Sequence, residues 1–433
     1  MGKCLIVFTR KYPYSYGEPS FQDEVAHYLP LFEKILVLSQ DVSKGEPITR
    51  TPPAGVAYYN TATTSRKVGR IKDKLKCGRQ AFRKSEALTS DADRVKGHLV
   101  RRVFLWSFEE RCQRLIREAT AILDSYDFSQ FEEVVLYSYW FFANVRVAVG
   151  VSEYLRQRGC GRVRVISRAH RYDLYETRNR LNYLPMREYL LGKVEKVYVC
   201  SKNGADYLRA GHPQYADKID VGYVGTLDCG VAEAAREAVF HLVSCCRIVP
   251  VKRLERLADA LALVEEPCKW TVIGGGIEGD SYYHELKKYI ASALASRPNV
   301  QVEYTGALPH DEIFHYYQTH HVDVLVNPSE SEGLPAVIME AASFGIPSIA
   351  TDVGGTAEIV LDGQTGYLIP ERFATEQLSG CIRRMIALPE AEYAALRRSA
   401  REIWQEKFNA LHNNAWFAQR VFTGEKAELA WEK

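Results

Sequence analysis

Two glutamates, Glu332 and Glu340, stand eight residues apart around the start of a predicted helix. Pro335 suits the first turn of that helix, and Gly345 suits its left-handed C-terminal cap. The other side chains of the helix are mostly small and apolar, so an unpaired buried carboxylate there would be costly. Two carboxylates beside the free amides of a helix N-terminus suit a ligand that carries hydroxyls and phosphate. Taken alone, Glu340 also fits an edge position that faces solvent.

The elements that must position these residues are short β-branched runs alternating with longer amphipathic segments, the pattern of parallel sheets covered by helices. The first series of predicted strands is 3–8, 34–39, 134–140, 163–167 and 196–200, with helices at 20–32, 144–157 and 178–191. The second series is 242–248, 270–273, 300–305, 322–327, 348–351 and 367–369, and one or two helices follow over 390–422. The sequence therefore predicts two doubly wound domains in tandem, with a cleft between the carboxyl ends of their sheets.

Composition excludes several classes of protein. The 433 residues are 46% apolar and 25% charged, which fits two or three packed domains and excludes a disordered or fibrous chain. With 56 basic and 54 acidic residues, the chain as a whole offers no electrostatic field for nucleic acid. The ten cysteines form no CxxC pair and are expected to be reduced thiols in a cytosolic protein. No apolar run reaches the roughly 18 residues of a spanning helix, and the first is too short for a signal peptide.

At the two glutamates the sequence resembles glycosyltransferase family 4, the retaining, nucleotide-sugar-dependent transferases of GT-B fold whose signature is a Glu-x7-Glu element. The resemblance runs through most of residues 160–410 and is thin over 40–130. It implies a nucleotide-diphosphate sugar as donor substrate, no cofactor, no metal ion and no covalent nucleophile. By resemblance, Glu340 accepts from the ribose hydroxyls and Glu332 binds sugar hydroxyls.

A basic element after the first strand of the second series extends the resemblance. In the family, an Arg and a Lys at the positions of Arg247 and Lys252 bind the donor diphosphate. Two cations at the carboxyl end of a strand can neutralise a diphosphate and stabilise the charge that grows on the leaving group. Without the glutamate element, both residues would be read as ordinary surface charges.

The remaining predicted site residues also rest on the resemblance. Donor-binding positions in the second half are Gly275, Leu308, Gly333 and Leu334, of which Leu308 lies in the loop that passes the nucleotide base. In the first half, Gly17 lies where the family carries glycines that let the backbone approach the donor phosphates. His170 follows a strand, with Asp173 nearby, where related enzymes hold a histidine that touches the donor sugar. A lone histidine also fits a structural or surface role.

The stretch 66–102 holds 13 Lys or Arg residues against four acids. One interpretation is a solvated surface loop. The other is an electrostatic contact with anionic lipid headgroups or an anionic acceptor, with Phe82, Phe104 and Trp106 as interfacial anchors. No motif in the chain supports binding to nucleic acid.

We therefore predict a metal-independent retaining hexosyltransferase that acts on a saccharide or lipid-linked saccharide in surface-polysaccharide or glycoconjugate biosynthesis. The expected location is cytoplasmic, with peripheral contact to the inner face of the plasma membrane if 66–102 binds lipid. The predicted domains are 1–225 on the acceptor side, 226–410 for the donor, and a C-terminal helix, 411–433, that packs back across both. The alternatives are a GT-B phosphorylase, a nucleotide-sugar epimerase, and a sugar- or nucleotide-binding protein without turnover.

Overall fold

The structure is a computed structural model that describes residues 2–15, 17–43, 45–61, 85–231, 237–277 and 281–424. The chain divides into two compact units. The first runs to Gly222 and includes the end of the C-terminal helix from Asn414 onward, and the second is Tyr223–Asn413.

The first unit is a parallel sheet with helices. Its strands are β1 (Lys3–Thr9), β2 (Lys34–Ser39), β3 (Val56–Asn60), β4 (Glu133–Ser138), β5 (Arg162–Ala169), β6 (Lys196–Val199) and β7 (Ile219–Val221). They lie in the order β3-β2-β1-β4-β5-β6-β7, and every pair is parallel. Its helices are α1 (Pro19–Val25), α2 (Glu86–Thr89), α3 (Ala92–Val95), α4 (Leu99–Leu123), α5 (Ala143–Gln157), α6 (Arg187–Lys193) and α7 (Lys202–Gly211).

The second unit repeats the plan. Its strands are β8 (Phe240–Cys245), β9 (Cys268–Ile273), β10 (Val300–Gly306), β11 (Val324–Asn327), β12 (Ser348–Thr351) and β13 (Gly366–Ile369), in the order β10-β9-β8-β11-β12-β13. All of these pairs are parallel as well. Its helices are α8 (Leu254–Leu261), α9 (Tyr282–Ala293), α10 (His310–Thr319), α11 (Ala336–Ser343), α12 (Thr375–Ile386) and α13 (Glu390–Ile403), and a π-helical turn (Trp404–Phe408) precedes α14 (Ala410–Phe422).

The strands predicted for both series are confirmed, with ends that agree to about three residues. They form because each is a run of β-branched and other apolar side chains, and β1, β4 and β8 are buried along almost their whole length, as central strands of parallel sheets require.

One predicted helix is largely wrong, and several elements were not predicted. The helix predicted at 178–191 is largely absent, because Asn182 and Met186 have left-handed backbone angles and Pro185 cannot donate a helical hydrogen bond, so α6 begins only at Arg187. The edge strands β3 and β7 were not predicted. Neither was α4, although its buried residues recur at helical spacing: Leu105, Phe108, Cys112, Leu115 and Ala119.

Each sheet has one place from which successive strands are added in opposite directions, although all strands are parallel. In the first unit that place lies between β1 and β4, and in the second between β8 and β11. Open α/β sheets bind ligands outside the carboxyl ends of the strands at such switch points. No helix among the described residues is both long and apolar enough to cross a membrane.

Candidate functional site

The loops after β8 and β11 bring two predicted site residues into contact. The Lys252 ammonium donates to Glu332 Oε1 over 2.6 Å, and Asn327 Nδ2 donates to the same oxygen over 3.4 Å. Both charges are largely buried, with 16% of the Lys252 side chain and 8% of the Glu332 side chain exposed. The two residues are 80 positions apart in the chain, and they meet because β8 and β11 are parallel neighbours.

The loop that carries Lys252 is fastened by a residue that the sequence did not single out. Arg253 has a left-handed backbone, and its guanidinium donates to the carbonyl oxygens of Pro328 and Ser329, over 2.7 and 2.8 Å. The Glu330 amide donates back to the Val251 carbonyl over 2.9 Å. In the sequence, Arg253 is marked only by its position next to Lys252. Its role depends on carbonyls about 75 residues away, which no local pattern indicates.

Arg247 follows β8 directly and is exposed. It forms no ion pair with any residue in the described part of the chain, which leaves its guanidinium available to an anion. Next to it, burial raises the pKa of the Cys246 thiol to about 11, with the Lys252 charge as a smaller opposing influence. This thiol is therefore protonated at neutral pH and is a poor nucleophile.

Glu340 lies within α11 as predicted, and it is buried. Its Oε1 is 2.8 Å from Nε2 of His310, whose own side chain is 57% exposed at the start of α10. The alternative that Glu340 faces solvent is therefore wrong. His310 is a second site residue that the sequence analysis missed, although it directly follows the predicted base-binding loop.

The start of α11 is open to a ligand. No side chain caps its first amides, and the loop before it, with Gly333 buried and Leu334 half-buried, contacts the turn after β12. There the Gly355 amide donates to the Gly333 carbonyl over 2.6 Å. Gly354 has φ +58°, and a Cβ on it would lie 2.2 Å from the Glu332 carbonyl oxygen, so only glycine allows this approach.

The other two predicted donor-binding positions of the second unit follow the ends of neighbouring strands. The Gly275 carbonyl, after β9, accepts from the Ile248 amide over 3.0 Å, which ties this turn to the loop of Arg247. Leu308, after β10, is half-buried two residues before His310. Loops that follow β8, β9, β10 and β11 thus supply every predicted site residue of the second unit except Glu340, which lies in α11.

His170 lies in the first unit, just after β5. Its ring packs on Trp140 and Tyr139, with centroids 4.4 and 4.9 Å away. Neither ring nitrogen has a hydrogen-bond partner among the described residues, although Nδ1 is 3.9 Å from an oxygen of Asp173. Burial alone would raise the pKa of the Asp173 carboxyl, but the adjacent His170 and the amides of Phe141 and His170 together lower it. The His170 ring is thus held by packing, and its nitrogens form no hydrogen bond with any described residue.

Gly17 lies in the loop between β1 and α1. A Cβ on Gly17 would stand 2.4 Å from Lys11 Cβ, so the glycine lets the two arms of this loop touch. The amides of the loop are already occupied, since those of Arg10 and Tyr12 donate to the Glu18 carboxylate. The structure therefore gives Gly17 a packing role within the loop.

Together, the residues of the second unit offer one exposed cation, one paired cation, two buried carboxylates and uncapped helix amides around the β8/β11 switch point. That set suits a ligand with both an anionic group and several hydroxyls. Among the described residues there is no group of three or more His, Cys, Asp or Glu side chains placed to hold a metal ion.

Comparison with known proteins finds similarity in the second unit. Residues 232–403 match the family described as Glycosyl transferases group 1. The matched range contains every predicted site residue of the second unit. The chain is also similar to the D-inositol 3-phosphate glycosyltransferase of Pseudarthrobacter chlorophenolicus, with 28% identity over 197 residues, which cover 42% of this chain and 43% of that protein. Less than half the length of such curated relatives is matched.

Solved structures extend the likeness to the whole fold. The Anabaena protein HepE, in complex with UDP, has a TM-score of 0.63 at 15% identity, over 97% of this chain and all of that one. The sucrose-phosphate synthase of Thermosynechococcus elongatus has a TM-score of 0.67 at 15% identity, over 98% of this chain and all of that one. The predicted GT-B fold of two Rossmann-like domains is confirmed by these likenesses and by the two parallel sheets.

Proposed function

We propose that the protein is a retaining glycosyltransferase that moves a sugar from a nucleotide-diphosphate sugar to a hydroxyl acceptor. The observation that carries the proposal is the meeting of Lys252 and Glu332 at the β8/β11 switch point, with Arg247, which has no ion-pair partner in the described part of the chain, in the same loop as Lys252. A cation for phosphate next to a carboxylate for hydroxyls is what the junction between a diphosphate and its sugar requires.

In this proposal Arg247 and Lys252 hold the diphosphate. Bond breaking at the sugar places negative charge on the leaving phosphate, and fixed cations stabilise that charge without reorganisation during the reaction. The free amides at the start of α11, near Gly333 and Leu334, add partial positive charge on the same side. Glu332, held in place by Lys252, accepts from sugar hydroxyls.

Glu340 is the proposed acceptor for the ribose hydroxyls. In the proposal His310 orients the carboxylate through Oε1 while the second oxygen accepts from the ribose. His310 thus acts through Glu340 and is a positioning residue. The backbone near Leu308 and Gly275 completes the proposed nucleotide pocket.

For the first unit we propose a role in binding the acceptor, a saccharide or lipid-linked saccharide, with His170 as a contact of the donor sugar. Its uncommitted ring nitrogens support this role, because a buried imidazole without partners gains most from a hydroxyl ligand. We leave Gly17 out of the donor site, since the amides around it already bind a carboxylate.

The test is a panel of nucleotide-diphosphate sugars, monitored for release of nucleoside diphosphate with and without lipid extracts as a source of acceptors. Release that depends on acceptor supports transfer, whereas products formed from donor and phosphate alone would indicate a phosphorylase, and an isomerised donor would indicate an epimerase. Proton NMR of the new glycosidic bond determines whether the donor's anomeric configuration is retained.

Metal independence is a separate part of the proposal. In the proposal Arg247, Lys252 and the α11 amides supply the positive charge that stabilises the diphosphate, so that a divalent ion is not required. Activity should therefore survive EDTA, and complete loss that Mg²⁺ or Mn²⁺ restores would refute metal independence.

We also propose peripheral contact with anionic membrane. Residues 66–84 of the basic stretch lie outside the described residues. Just beyond them, α4 exposes Leu99, Val100 and Val103, which are 68%, 65% and 44% accessible, next to Arg101 and Arg102. Exposed aliphatic side chains among basic ones are typical of a surface that lies on lipid headgroups. Phe104 and Trp106 are both partly buried, so the anchors we propose are the three aliphatic residues.

Liposome sedimentation tests this contact. Each Lys or Arg near an anionic surface contributes up to about 1 kcal/mol, so binding to anionic vesicles should weaken with salt and on replacing Lys72, Lys74, Lys76 and Arg79 by Gln. Replacing Leu99 and Val100 by Ser should weaken binding even at low salt. Equal binding to zwitterionic and anionic vesicles, or none to either, would contradict the proposal.

A further inference from the structure

The loop after β1 contains a cradle of successive backbone amides that an internal carboxylate fills. The amides of Arg10, Lys11 and Tyr12 all point at Glu18, with distances of 2.6 Å from Arg10 to Oε1, and of 3.0 and 2.7 Å from Lys11 and Tyr12 to Oε2. The indole Nε1 of Trp140 adds a fourth donor, 2.8 Å from Oε1. We call these three amides the β1 nest.

Such a concave run of amides is a binding site for an anion, because its N–H dipoles converge on one point. Glu18 is only 8% exposed, so its carboxylate is the anion that fills the β1 nest in this protein. The side chains of Arg10 and Lys11 are committed elsewhere, to Asp41 and Glu46, over 3.1 Å in each case. The cradle is therefore saturated by groups of the chain itself.

The backbone of Glu18 supports a specific role for its side chain. Its φ of 41° and ψ of 66° are left-handed, a conformation that is unfavourable for a residue with a Cβ and that glycine adopts readily. Glycine would therefore be the easier residue at this point. A strained glutamate is stable there because its carboxylate satisfies three amides and an indole.

The position of the β1 nest makes it relevant to ligands. It lies at the carboxyl end of β1, and Trp140 follows β4, the two strands that flank the switch point of the first unit. Trp140 also packs against Tyr172 and His170, with ring centroids 4.9 and 4.4 Å away. The hydrogen bond from its indole to Glu18 fixes the orientation of this aromatic cluster.

We propose that Glu18 is a built-in anion that closes the β1 nest to phosphate, so that this end of the first unit receives an uncharged sugar ring beside Trp140 instead of a phosphorylated group. A bound phosphate would need the same amides and would meet the Glu18 charge. A sugar ring needs an apolar face, which the rings of Trp140 and Tyr172 supply. The exclusion of phosphate follows from the contacts of Glu18 alone. The inference that the acceptor is uncharged also rests on the proposed function.

The experiment titrates the full-length protein with inorganic phosphate and follows the backbone amides of Arg10, Lys11 and Tyr12 by TROSY NMR. Glu18→Gly empties the nest and relieves the left-handed backbone, so this variant is expected to fold. Charge-assisted hydrogen bonds of about 1.5–3 kcal/mol predict that it binds phosphate about 10- to 150-fold more tightly than the wild type at these amides. Glu18→Gln keeps the shape without the charge and should give a smaller gain.

Glu46→Gln is the matched control. It removes one negative charge beside the same loop without opening the nest, so phosphate should not shift the three amides more than in the wild type. The proposal is overturned if wild type and Glu18→Gly bind phosphate equally at these amides, or if folded Glu18→Gly shows no saturable shift. If Glu18→Gly does not fold, Glu18→Gln decides: phosphate binding no tighter than in the wild type overturns the proposal.

A second arm tests the acceptor. Wild type should transfer to an uncharged saccharide and not to its phosphorylated counterpart, and Glu18→Gly should gain activity on the phosphorylated form. If the wild type prefers the phosphorylated acceptor, the inference that the acceptor is uncharged is overturned. If no variant transfers sugar to anything, the proposed function fails, while the phosphate titration still decides whether Glu18 closes the nest.

Discussion

Replacing Glu332 by Gln should separate the two halves of the proposed donor. Glu332 accepts a 2.6 Å hydrogen bond from Lys252, and the pair lies mostly out of solvent. Glutamine keeps the volume and one acceptor oxygen but removes the charge that competes with a diphosphate for Lys252. We therefore expect this variant to bind nucleoside diphosphate more tightly than the wild type, and to lose the contribution of the sugar to donor binding.

The size of both effects follows from the contacts. A hydrogen bond to a charged group contributes about 1.5–3 kcal/mol, and the partial exposure of Lys252 favours the lower end. Affinity for nucleoside diphosphate should thus rise about tenfold, which corresponds to roughly 1.4 kcal/mol. The preference for nucleotide sugar over nucleoside diphosphate should fall by a similar factor, because a neutral amide oxygen accepts from sugar hydroxyls more weakly than a carboxylate does.

Calorimetric titration with each ligand measures the two affinities. Glu330→Gln is the matched control, since it removes the same charge from the same loop at an exposed position. The reasoning is refuted if Glu332→Gln weakens binding of nucleoside diphosphate, if the sugar preference is unchanged, or if Glu330→Gln has the same effects.

Three other predictions test neighbouring contacts. Glu340→Gln should keep the fold and lose discrimination against a dideoxy nucleoside diphosphate, and equal discrimination in both proteins would remove Glu340 from the ribose site. His310→Ala should weaken nucleotide binding in the same assay, because Glu340 loses the 2.8 Å contact that orients it, whereas His315→Ala, on the same helix, should leave the affinity unchanged. Because Asp173 has a lowered pKa in the folded state, its charge stabilises the protein above the ordinary Asp pKa, and this contribution disappears as pH falls through the lowered value. The difference in urea midpoint between wild type and Asp173→Asn should therefore be largest near neutral pH and shrink from about pH 5 downward; a difference that grows toward acid would contradict this assignment.

The sequence was informative wherever one local pattern determines the outcome. Apolar runs identified the strands that pair in both sheets, and the order of those runs placed Arg247, Lys252 and Glu332 after neighbouring strands. The helix around Glu340 followed from its proline and glycine boundaries. These features depend on short-range periodicity and on the chirality of strand connections, which a single sequence contains.

The contacts between loops could not be predicted in the same way. Whether Glu332 meets a ligand or Lys252, and whether Glu340 meets ribose or His310, depends on side-chain positions within a few ångströms after two distant loops fold. Arg253 and Glu18 adopt left-handed backbones that no residue preference indicates, and each is stabilised by tertiary hydrogen bonds. The left-handed backbones of Asn182 and Met186 also interrupt a helical pattern, and the Met186 amide donates to the distant Asp91 carboxylate.

The most direct test of the central claim is the rate of nucleoside diphosphate release by the Arg247→Ala/Lys252→Ala double variant, with the donor that the wild type uses best. Lys288→Ala/Arg398→Ala is the matched control, because it removes two exposed cations from the same unit away from the β8/β11 switch point. Loss of two charge-assisted contacts of about 1.5–3 kcal/mol each predicts a fall of at least about 100-fold for the first variant and wild-type turnover for the second. Wild-type turnover by Arg247→Ala/Lys252→Ala would contradict the claim that these cations hold the donor diphosphate.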